Sequence, residues 1–509
     1  MPVRHIAIVR AKRYFSSVQN IVTPNLKPDE VMSSCQKQDI PEALIVYRGG
    51  PIHRLPLELL MVIFSFCISR DRIVWPSPTH GPLLLVRICS AWREIVLSMP
   101  KMWSSIYLDI RSKQCGSKYV EMVDTWLGRS GNCPLSLTLV VFWSRSGKAL
   151  VLPDACADTA TKITALYFRY VQRWQHVRFI ISATRVFKTP IPFEVCGNIA
   201  APMLESLAVE TSKLMHLFLW RPLNIVLRSV PRLCDFSFSI QDSTDAVTSS
   251  VLHPPYSQLT HLDLNTFDSF GDVLNVLRAS KNLVEYCLTL EFDLQYSVKD
   301  PELVDVIHPS LRFLRIDTEW GLSGILDHLI LPSLRYLAVD FNRVCFDDTD
   351  EDVIWPQSEM TSFLTRSSCP VEELLLINSA VTKDDLIKCL EHTTSSLTNI
   401  LVHNDSIICV TDAVLARLSR HGQTSFLCPK LACMEFTDCD SFSDGALADM
   451  VESRWESSSA IEATSSAGQP VRCTRLKSIT FELVDIDRNT DDVRRLGVLQ
   501  GKGLHVDVR

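Results

Sequence analysis

The residue types that carry out catalysis or bind metals are present in this chain of 509 residues, but not at the spacings such chemistry requires. The tightest cysteine run is Cys428, Cys433 and Cys439, with gaps of four and five residues. Zinc sites use closer C-x2-C pairs with histidines nearby, so these residues are interpreted as thiols of a protein core. The sequence has no G-x-S-x-G turn, P-loop, H-E-x-x-H or strand-linked G-x-G-x-x-G. We therefore predict a protein that is not an enzyme and uses no metal or cofactor.

The thirteen histidines are scattered, and His261 and His403 fall in predicted strands, where a surface or hydrogen-bonded role is commoner than catalysis. An acidic run at residues 347–352 could bind a cation or a basic peptide, but a solvated insertion is the default interpretation. Residues 241–250 and 456–469 are also predicted to be exposed loops. The informative features are therefore patterns of apolar residues.

Residues 55–68 predict a helix that is apolar on nearly every side. Pro56 suits the first helical turn, where no N–H is needed, and Glu58 places a negative charge near the helix N-terminus. The next polar residue after Glu58 is Ser65. Such a helix offers apolar side chains to two opposite sides, and the surrounding sequence is too short to cover both. We expect one side to bind another protein.

A second helix is predicted at about residues 83–99, where apolar side chains recur with helical spacing until a proline ends the pattern. Trp103 then packs back before a predicted strand at residues 105–110. Over residues 48–108, the order Leu55-Pro56-x-Glu58, then Trp92, then Trp103 resembles an F-box. An ordinary buried helical hairpin is the alternative, and the spacing of the two tryptophans disfavours it.

The F-box resemblance implies docking on the Skp adaptor of cullin-based ubiquitin ligases. For Trp92, a purely internal place in the core is an equal alternative to adaptor contact. The residues expected to bind the adaptor are Leu55, Pro56, Leu59, Ile63, Phe64, Ile88 and Trp92.

Beyond the F-box-like segment, a Leu-x-x-Leu-x-Leu pattern repeats at gaps of 23 to 45 residues, most of them near the period of leucine-rich repeats. Helix-like segments separate the copies, for example residues 270–279 and 384–392. Each unit therefore predicts strand, turn, helix and turn, and neighbouring units must stack because one unit cannot bury its leucines alone. Weaker units are expected from residue 119 and at residues 491–508. The first positions of the ten copies are Leu204, Leu233, Leu259, Leu283, Leu311, Leu334, Val371, Leu397, Leu431 and Leu476.

An F-box followed by leucine-rich repeats resembles the substrate receptors of Skp–cullin–F-box ubiquitin ligases. The expected fold is α/β: a basic, weakly ordered leader (residues 1–47), a small helical F-box (48–108) and a curved solenoid of alternating strands and helices (109–509). The clearest repeats span residues 201–483. The resemblance implies a non-catalytic role, in which the F-box holds the adaptor and through it a cullin, while the repeats hold an unknown target protein. The alternative is a repeat scaffold that uses the F-box for assembly without ubiquitin transfer.

The repeat pattern also predicts a binding face. Leucines that alternate along each strand point into the core, so the residues between them share the concave face. Because adjacent strands lie ~4.8 Å apart, Phe313, Arg315 and Tyr336 are predicted to form one aromatic–basic patch. Aromatic and arginine side chains are common binding anchors, which favours this patch. The alternative interpretation, which holds for most of the rows of mixed polar residues, is that they are merely solvated strand residues. The candidate substrate-binding residues are His261, Asp263, Phe313, Arg315 and Tyr336.

Composition limits the remaining possibilities. With 51 basic and 58 acidic residues, the net charge of −7 argues against a nucleic-acid partner, and no stretch approaches the ~20 apolar residues of a membrane span. Seventeen cysteines without regular spacing indicate reduced, mostly buried thiols in the cytoplasm or nucleus. Residues 1–28 contain five basic residues and no acidic residue. This leader is compatible with a mitochondrial presequence, and a weakly ordered basic segment is at least as good an interpretation.

Overall fold

Two compact units divide the chain, Met1–Pro56 and Leu57–Arg509. The predicted leader, residues 1–47, lies outside the described residues. The computed structural model describes residues 52, 55–67, 74–110, 115–141, 154–181, 200–212, 216–241, 252–265, 269–290, 303–318, 322–341, 355–404, 408–420, 426–437, 440–455, 463–464, 470–471, 474–481 and 489–508.

Three helices open the second unit: α1 (Leu57–Ser65), α2 (Gly81–Leu85) and α3 (Ser90–Leu97). The single helix predicted for residues 83–99 is thus two helices. The break occurs at Cys89, whose extended backbone (φ −156°, ψ 168°) begins α3 as its N-cap. The Cys89 Sγ accepts a hydrogen bond from the backbone N–H of Trp92 at 3.5 Å. This cap satisfies one of the backbone donors that a new helix start leaves without a partner.

Fourteen parallel strands form one sheet across the described residues, and their order in the sheet follows their order in the chain. A 3-10 turn at Pro100–Trp103 leads from α3 into the first of these strands. The strands of the sheet are β1 (Ser105–Asp109), β2 (Leu135–Val141), β3 (Trp174–Ile181), β4 (Ser206–Ser212), β5 (Asp235–Gln241), β6 (His261–Leu264), β7 (Glu285–Leu290), β9 (Phe313–Thr318), β11 (Tyr336–Phe341), β12 (Glu373–Ile377), β13 (Asn399–His403), β15 (Cys433–Thr437), β19 (Ser478–Phe481) and β20 (His505–Val508).

Ten further helices bring the number in the described residues to thirteen, and most of them connect successive strands. Right-handed crossovers that always advance in one direction place their helices on the same face of the sheet. Most pairs of successive helices among these ten accordingly pack on one another. These helices are α4 (Ser117–Arg129), α5 (Asp154–Arg169), α6 (His216–Leu227), α7 (Phe270–Ala279), α8 (Ser323–Leu326), α9 (Gln357–Ser367), α10 (Lys383–Thr393), α11 (Asp412–Leu418), α12 (Ala446–Trp455) and α13 (Thr490–Gly501).

The remaining strands form three two-stranded sheets outside the main sheet. Their pairs are β8 (Val306–Ile307) with β10 (Leu329–Ile330), β14 (Val410–Thr411) with β16 (Asp440–Ser441), and β17 (Ala463–Thr464) with β18 (Pro470–Val471).

The repeat register predicted from the sequence is confirmed. All ten first positions, from Leu204 to Leu476, are buried, and each precedes a strand of the main sheet by two residues. The two helix-like segments between copies are helices α7 and α10. The weaker units at both ends also supply strands, β2 and β3 before the clear repeats and β20 after them. The α/β class and the strand–helix alternation therefore follow from the apolar pattern.

The N-terminal helices join the sheet without a separate linker. Trp103, which is buried, donates from its indole Nε1 to the Val96 carbonyl of α3 at 3.0 Å. The backbone N–H of Tyr107 in β1 donates to the Val74 carbonyl at 2.8 Å. Trp126 of α4 donates from its indole to the Ser105 carbonyl at 3.2 Å. Of these contacts, the one between Tyr107 and Val74 pairs a backbone group on the outer edge of the first strand, which would otherwise be open.

Two expectations need correction. Cys115 and Cys156 form a disulfide, so the prediction of reduced thiols fails for this pair, and most free cysteines that the structure describes are only half-buried. Part of the predicted loop at residues 456–469 forms strand β17, whereas residues 347–352 lie outside the described part of the chain.

No helix in the described residues is long and apolar enough to cross a membrane.

Candidate binding surfaces

Exposed apolar side chains cluster on the three N-terminal helices and the segment between them. Nine of the thirteen exposed large hydrophobic side chains among the described residues lie between residues 57 and 97. Monomeric proteins rarely expose such a concentration unless it binds a partner. We call this surface the apolar platform, and it consists of Leu57, Leu59, Val62, Ile63, Phe66, Trp75, Leu84, Ile88 and Leu97.

A buried layer supports the apolar platform. Leu60 and Phe64, on the opposite side of α1, are buried, and so is Val96 of α3. The ring of Phe64 lies 4.7 Å from that of Trp92, with an interplanar angle of 56°. Because α1 has apolar residues on two sides, one side packs on α3 while the other remains in solvent. The two-sided pattern seen in the sequence thus has a physical counterpart.

The seven residues predicted to bind the adaptor divide between surface and core. Leu59, Ile63 and Ile88 are exposed and belong to the apolar platform. The expectation that Phe64 contacts the adaptor is corrected, because only 1% of this side chain is exposed and its ring packs against that of Trp92. The prediction did not include Leu57, Val62 and Phe66, although the unbroken apolar run contained them. Pro56 is exposed, while Leu55 and Trp92 are half-buried.

The second surface is the face of the main sheet opposite the buried leucines. We call it the open face. In β9 it carries Phe313, Arg315 and Asp317, and each of the remaining strands of the main sheet likewise presents alternate residues on this face. Phe313 is paired in register with Tyr336, and Asp317 with Asp340. The alignment of neighbouring rows predicted from the repeats is therefore present.

In the aromatic–basic patch on the open face, the two rings are buried and the charge of the arginine is compensated by carboxylates. Phe313 and Tyr336 stack with centroids 4.0 Å apart and an interplanar angle of 12°, yet they are only 5% and 6% exposed. Arg315 forms ion pairs with Asp317 at 2.7 Å and Asp340 at 3.1 Å. Burial acts to lower the pKa of Arg315, but the two carboxylates outweigh it and hold this pKa above its usual value. The expectation that these rings are accessible anchors is corrected, because they form a packed cluster.

His261 and Asp263 occupy a more accessible part of the open face. The His261 Nδ1 lies 2.8 Å from the Thr260 hydroxyl, and its Nε2 lies 3.5 Å from a carboxylate oxygen of Glu285. Asp263 is half-buried and is paired in register with Cys287. These contacts give His261 a hydrogen-bonding partner and an electrostatic partner.

No group of three or more histidine, cysteine or carboxylate side chains in the described residues is arranged to hold a metal ion. Cys428 is buried, and burial raises the pKa of its thiol to about 11. Cys433 is half-buried, while Cys439 lies outside the described residues. In comparisons with known proteins, no family model matches this chain and no curated protein matches it.

Proposed function

We propose that this chain is a substrate-recognition subunit of a Skp–cullin–F-box ubiquitin ligase. The observation that carries the proposal is the apolar platform, supported by the F-box-like order of residues 48–108. The platform would bind the Skp adaptor, and the strand–helix units would form a leucine-rich-repeat solenoid whose open face is concave. The chain would perform no chemistry itself. It would raise the local concentration of a target protein next to the ubiquitin carrier.

The size of the apolar platform suits a stable complex. Fully burying a large aliphatic side chain contributes about 1.5–3 kcal/mol. Leu59, Ile63 and Ile88 are 50%, 41% and 51% exposed, so burying what remains contributes roughly half of that range for each and offsets part of the cost of association. Their support is already packed, since Phe64 and Trp92 are in contact. Binding therefore requires little rearrangement of the helices, which favours affinity.

A pull-down with purified Skp-family adaptor tests the proposal. The test variant is Leu59→Ala/Ile63→Ala/Ile88→Ala, and the control is Ile408→Ala/Val498→Ala, whose side chains are at least as exposed but lie outside the apolar platform. We expect the triple variant to lose the adaptor and the control to retain it. Recovery of the adaptor at wild-type levels by a folded triple variant would exclude the proposal.

Recovery of a cullin distinguishes the ligase receptor from a scaffold. If the adaptor brings a cullin with it, the chain assembles into a ligase. If the adaptor is recovered without a cullin, the chain is a repeat scaffold that uses the same helices for assembly alone.

A further inference from the structure

The outer edge of β20, the last strand of the main sheet, faces away from the other described strands. In the described part of the chain β20 has one neighbour in this sheet, β19. Alternate residues of a parallel strand direct their backbone groups to the same neighbour. The His505 N–H donates at 3.0 Å to the carbonyl of Lys477, the residue before β19. Val506 therefore directs its N–H and carbonyl away from β19, and an edge of this kind can pair with a strand of another chain.

The opposite edge of the sheet is partly covered. The N–H of Tyr107 in β1 donates to the Val74 carbonyl at 2.8 Å, and the Trp75 ring lies 4.0 Å from the Tyr107 ring. Head-to-tail association of two copies would need the edges of both β1 and β20, whereas association about a two-fold axis uses the same edge of each copy. Among contacts between copies through the sheet, the structure therefore favours β20 against β20, which run antiparallel.

Charge complementarity identifies a second copy of this chain as the occupant of the β20 edge. His505 and Asp507 lie on the open face, because Val506 is in register with Ile479, which is buried on the other face. When two β20 strands run antiparallel with Val506 opposite Val506, each His505 lies opposite the Asp507 of the other copy. Histidine can donate a hydrogen bond to a carboxylate, and it forms an ion pair with it when protonated. The edge of β20 is thus complementary to itself.

The same two side chains disfavour the neighbouring registers. Outward-facing backbone groups recur at every second residue of β20, so a change of register moves the pairing by two residues. One such shift places His505 opposite His505, and the other places Asp507 opposite Asp507. Like charges directly opposite each other destabilise a strand pair, whereas opposite charges stabilise it. The register centred on Val506 is therefore favoured.

The helix that packs on β20 leaves room for a second copy. Arg495 of α13 forms an ion pair with Glu452 of α12, so this side of α13 faces α12. Gly497 lies about 200° further around the helix and therefore faces away from α12. This residue is exposed, and the space next to its Cα is open. A two-fold axis perpendicular to the sheet would place the second α13 on this side, where Gly497 has no side chain to keep it apart.

We propose that two copies of this chain associate through antiparallel β20 strands, with Val506 at the two-fold axis. Each Val506 N–H donates to the Val506 carbonyl of the other copy, and this bond replaces the one that the carbonyl accepts from Gln500 Nε2 at 3.2 Å. The two main sheets then form one continuous sheet. Because the apolar platform precedes β1, the dimer carries two platforms and two open faces, which would raise its avidity for a target with two binding sites. The dimer does not depend on the proposed function.

Sedimentation velocity of the purified full chain, without adaptor and over a dilution series, tests this inference. Val506→Pro removes the outward N–H without removing a hydrogen bond to β19. The matched control, Val506→Ile, keeps this N–H and a branched apolar side chain. We expect the wild type to dimerise, the proline variant to raise the dissociation constant by about tenfold or more, and the isoleucine variant to change it by less than about threefold. Hydrogen exchange of β19 shows whether the proline variant is folded.

A charge change on the exposed His505 tests the register and does not depend on the proline variant. We expect His505→Asp to weaken the dimer by about tenfold or more, because it places two carboxylates opposite each other. The matched control is His253→Asp, which makes the same charge change at an exposed site far from β20 in sequence and should leave the dimer intact. The exchange His505→Asp/Asp507→His should restore dimerisation, because it re-creates the unlike pair.

A wild-type chain that stays monomeric throughout the series would overturn the inference, and so would assemblies that grow beyond a dimer. Equal dimerisation of the wild type and folded Val506→Pro would also overturn it. Loss of the dimer in Leu59→Ala/Ile63→Ala/Ile88→Ala but not in the β20 variants would place the contact on the apolar platform instead. Adaptor recovery is a separate measurement, so either result can fail without the other.

Discussion

Phe64 lies against Trp92 with ring centroids 4.7 Å apart, whereas Ile63, the residue before it on α1, is 41% exposed. Adjacent residues on a helix point about 100° apart, so one apolar run supplies both a core and a surface. This relationship separates residues that hold α1 in place from residues available to a partner. A variant that fails to recover the adaptor can therefore have lost either the core that supports α1 or the exposed side chains on its surface.

The first prediction concerns this separation. We expect Phe64→Ala to destabilise the helical region by about 3–5 kcal/mol, because it removes a buried ring and leaves a cavity next to Trp92. Ile63→Ala should cost less than about 0.5 kcal/mol, because its side chain is exposed. Hydrogen exchange of residues 57–97 measures both effects. Similar protection in the two variants would contradict the assignment of Phe64 to the core.

The second prediction concerns Arg454, which is fully buried on α12. Its guanidinium donates to the carbonyls of Leu418, Leu427 and Cys428 at 2.7, 2.7 and 3.1 Å, and lies 4.6 Å from the centre of the Phe426 ring. Arg454→Met removes the side-chain donor to the buried carbonyls of Leu418 and Leu427, whereas the Cys428 carbonyl still accepts from the Leu431 N–H, so we expect a loss of at least about 3 kcal/mol in the free energy of unfolding. Urea unfolding measures this loss.

The control for Arg454 is an exposed arginine near the same helix. Arg475 stacks over Trp455 at 3.5 Å from the ring centroid, and its residue is exposed. Arg475→Met should cost no more than about 1 kcal/mol, which is typical of an exposed cation–π contact. Equal losses for the two variants would contradict the role given to the three carbonyl hydrogen bonds.

The sequence predicted the repeat register well, because strand positions depend on a simple alternation of buried leucines. All ten first positions from Leu204 to Leu476 are buried for this reason. It did not predict the break at Cys89, which depends on the geometry of a single cap. Nor did it predict the closure of the Phe313–Tyr336 stack, since alternation assigns a side chain to a face but does not tell how much solvent reaches it.

The third prediction concerns alkaline pH. Burial raises the pKa of the Cys389 thiol from 9.0 to about 12, so the folded state keeps a proton that the unfolded state loses. Stability from this group is therefore complete below about pH 9 and falls as the pH rises towards 12, by about 1.4 kcal/mol per pH unit. Cys389→Ala should remove this part of the slope in urea unfolding between about pH 9 and 11. The control is Cys67→Ala, which removes an exposed thiol instead of a buried one.

The fourth prediction concerns the disulfide between Cys115 and Cys156, which joins the segment before α4 to the first turn of α5. The two cysteines are 41 residues apart in sequence, and closing a loop of this length stabilises a fold by about 4 kcal/mol in the chain-entropy model. A reductant should therefore increase hydrogen exchange in α4 and α5. Cys115→Ala should show the same exchange without reductant and no further response to it. Cys67→Ala, at an exposed free thiol, should retain the wild-type response. Rapid alkylation of both Cys115 and Cys156 in the native, unreduced protein would contradict the pairing.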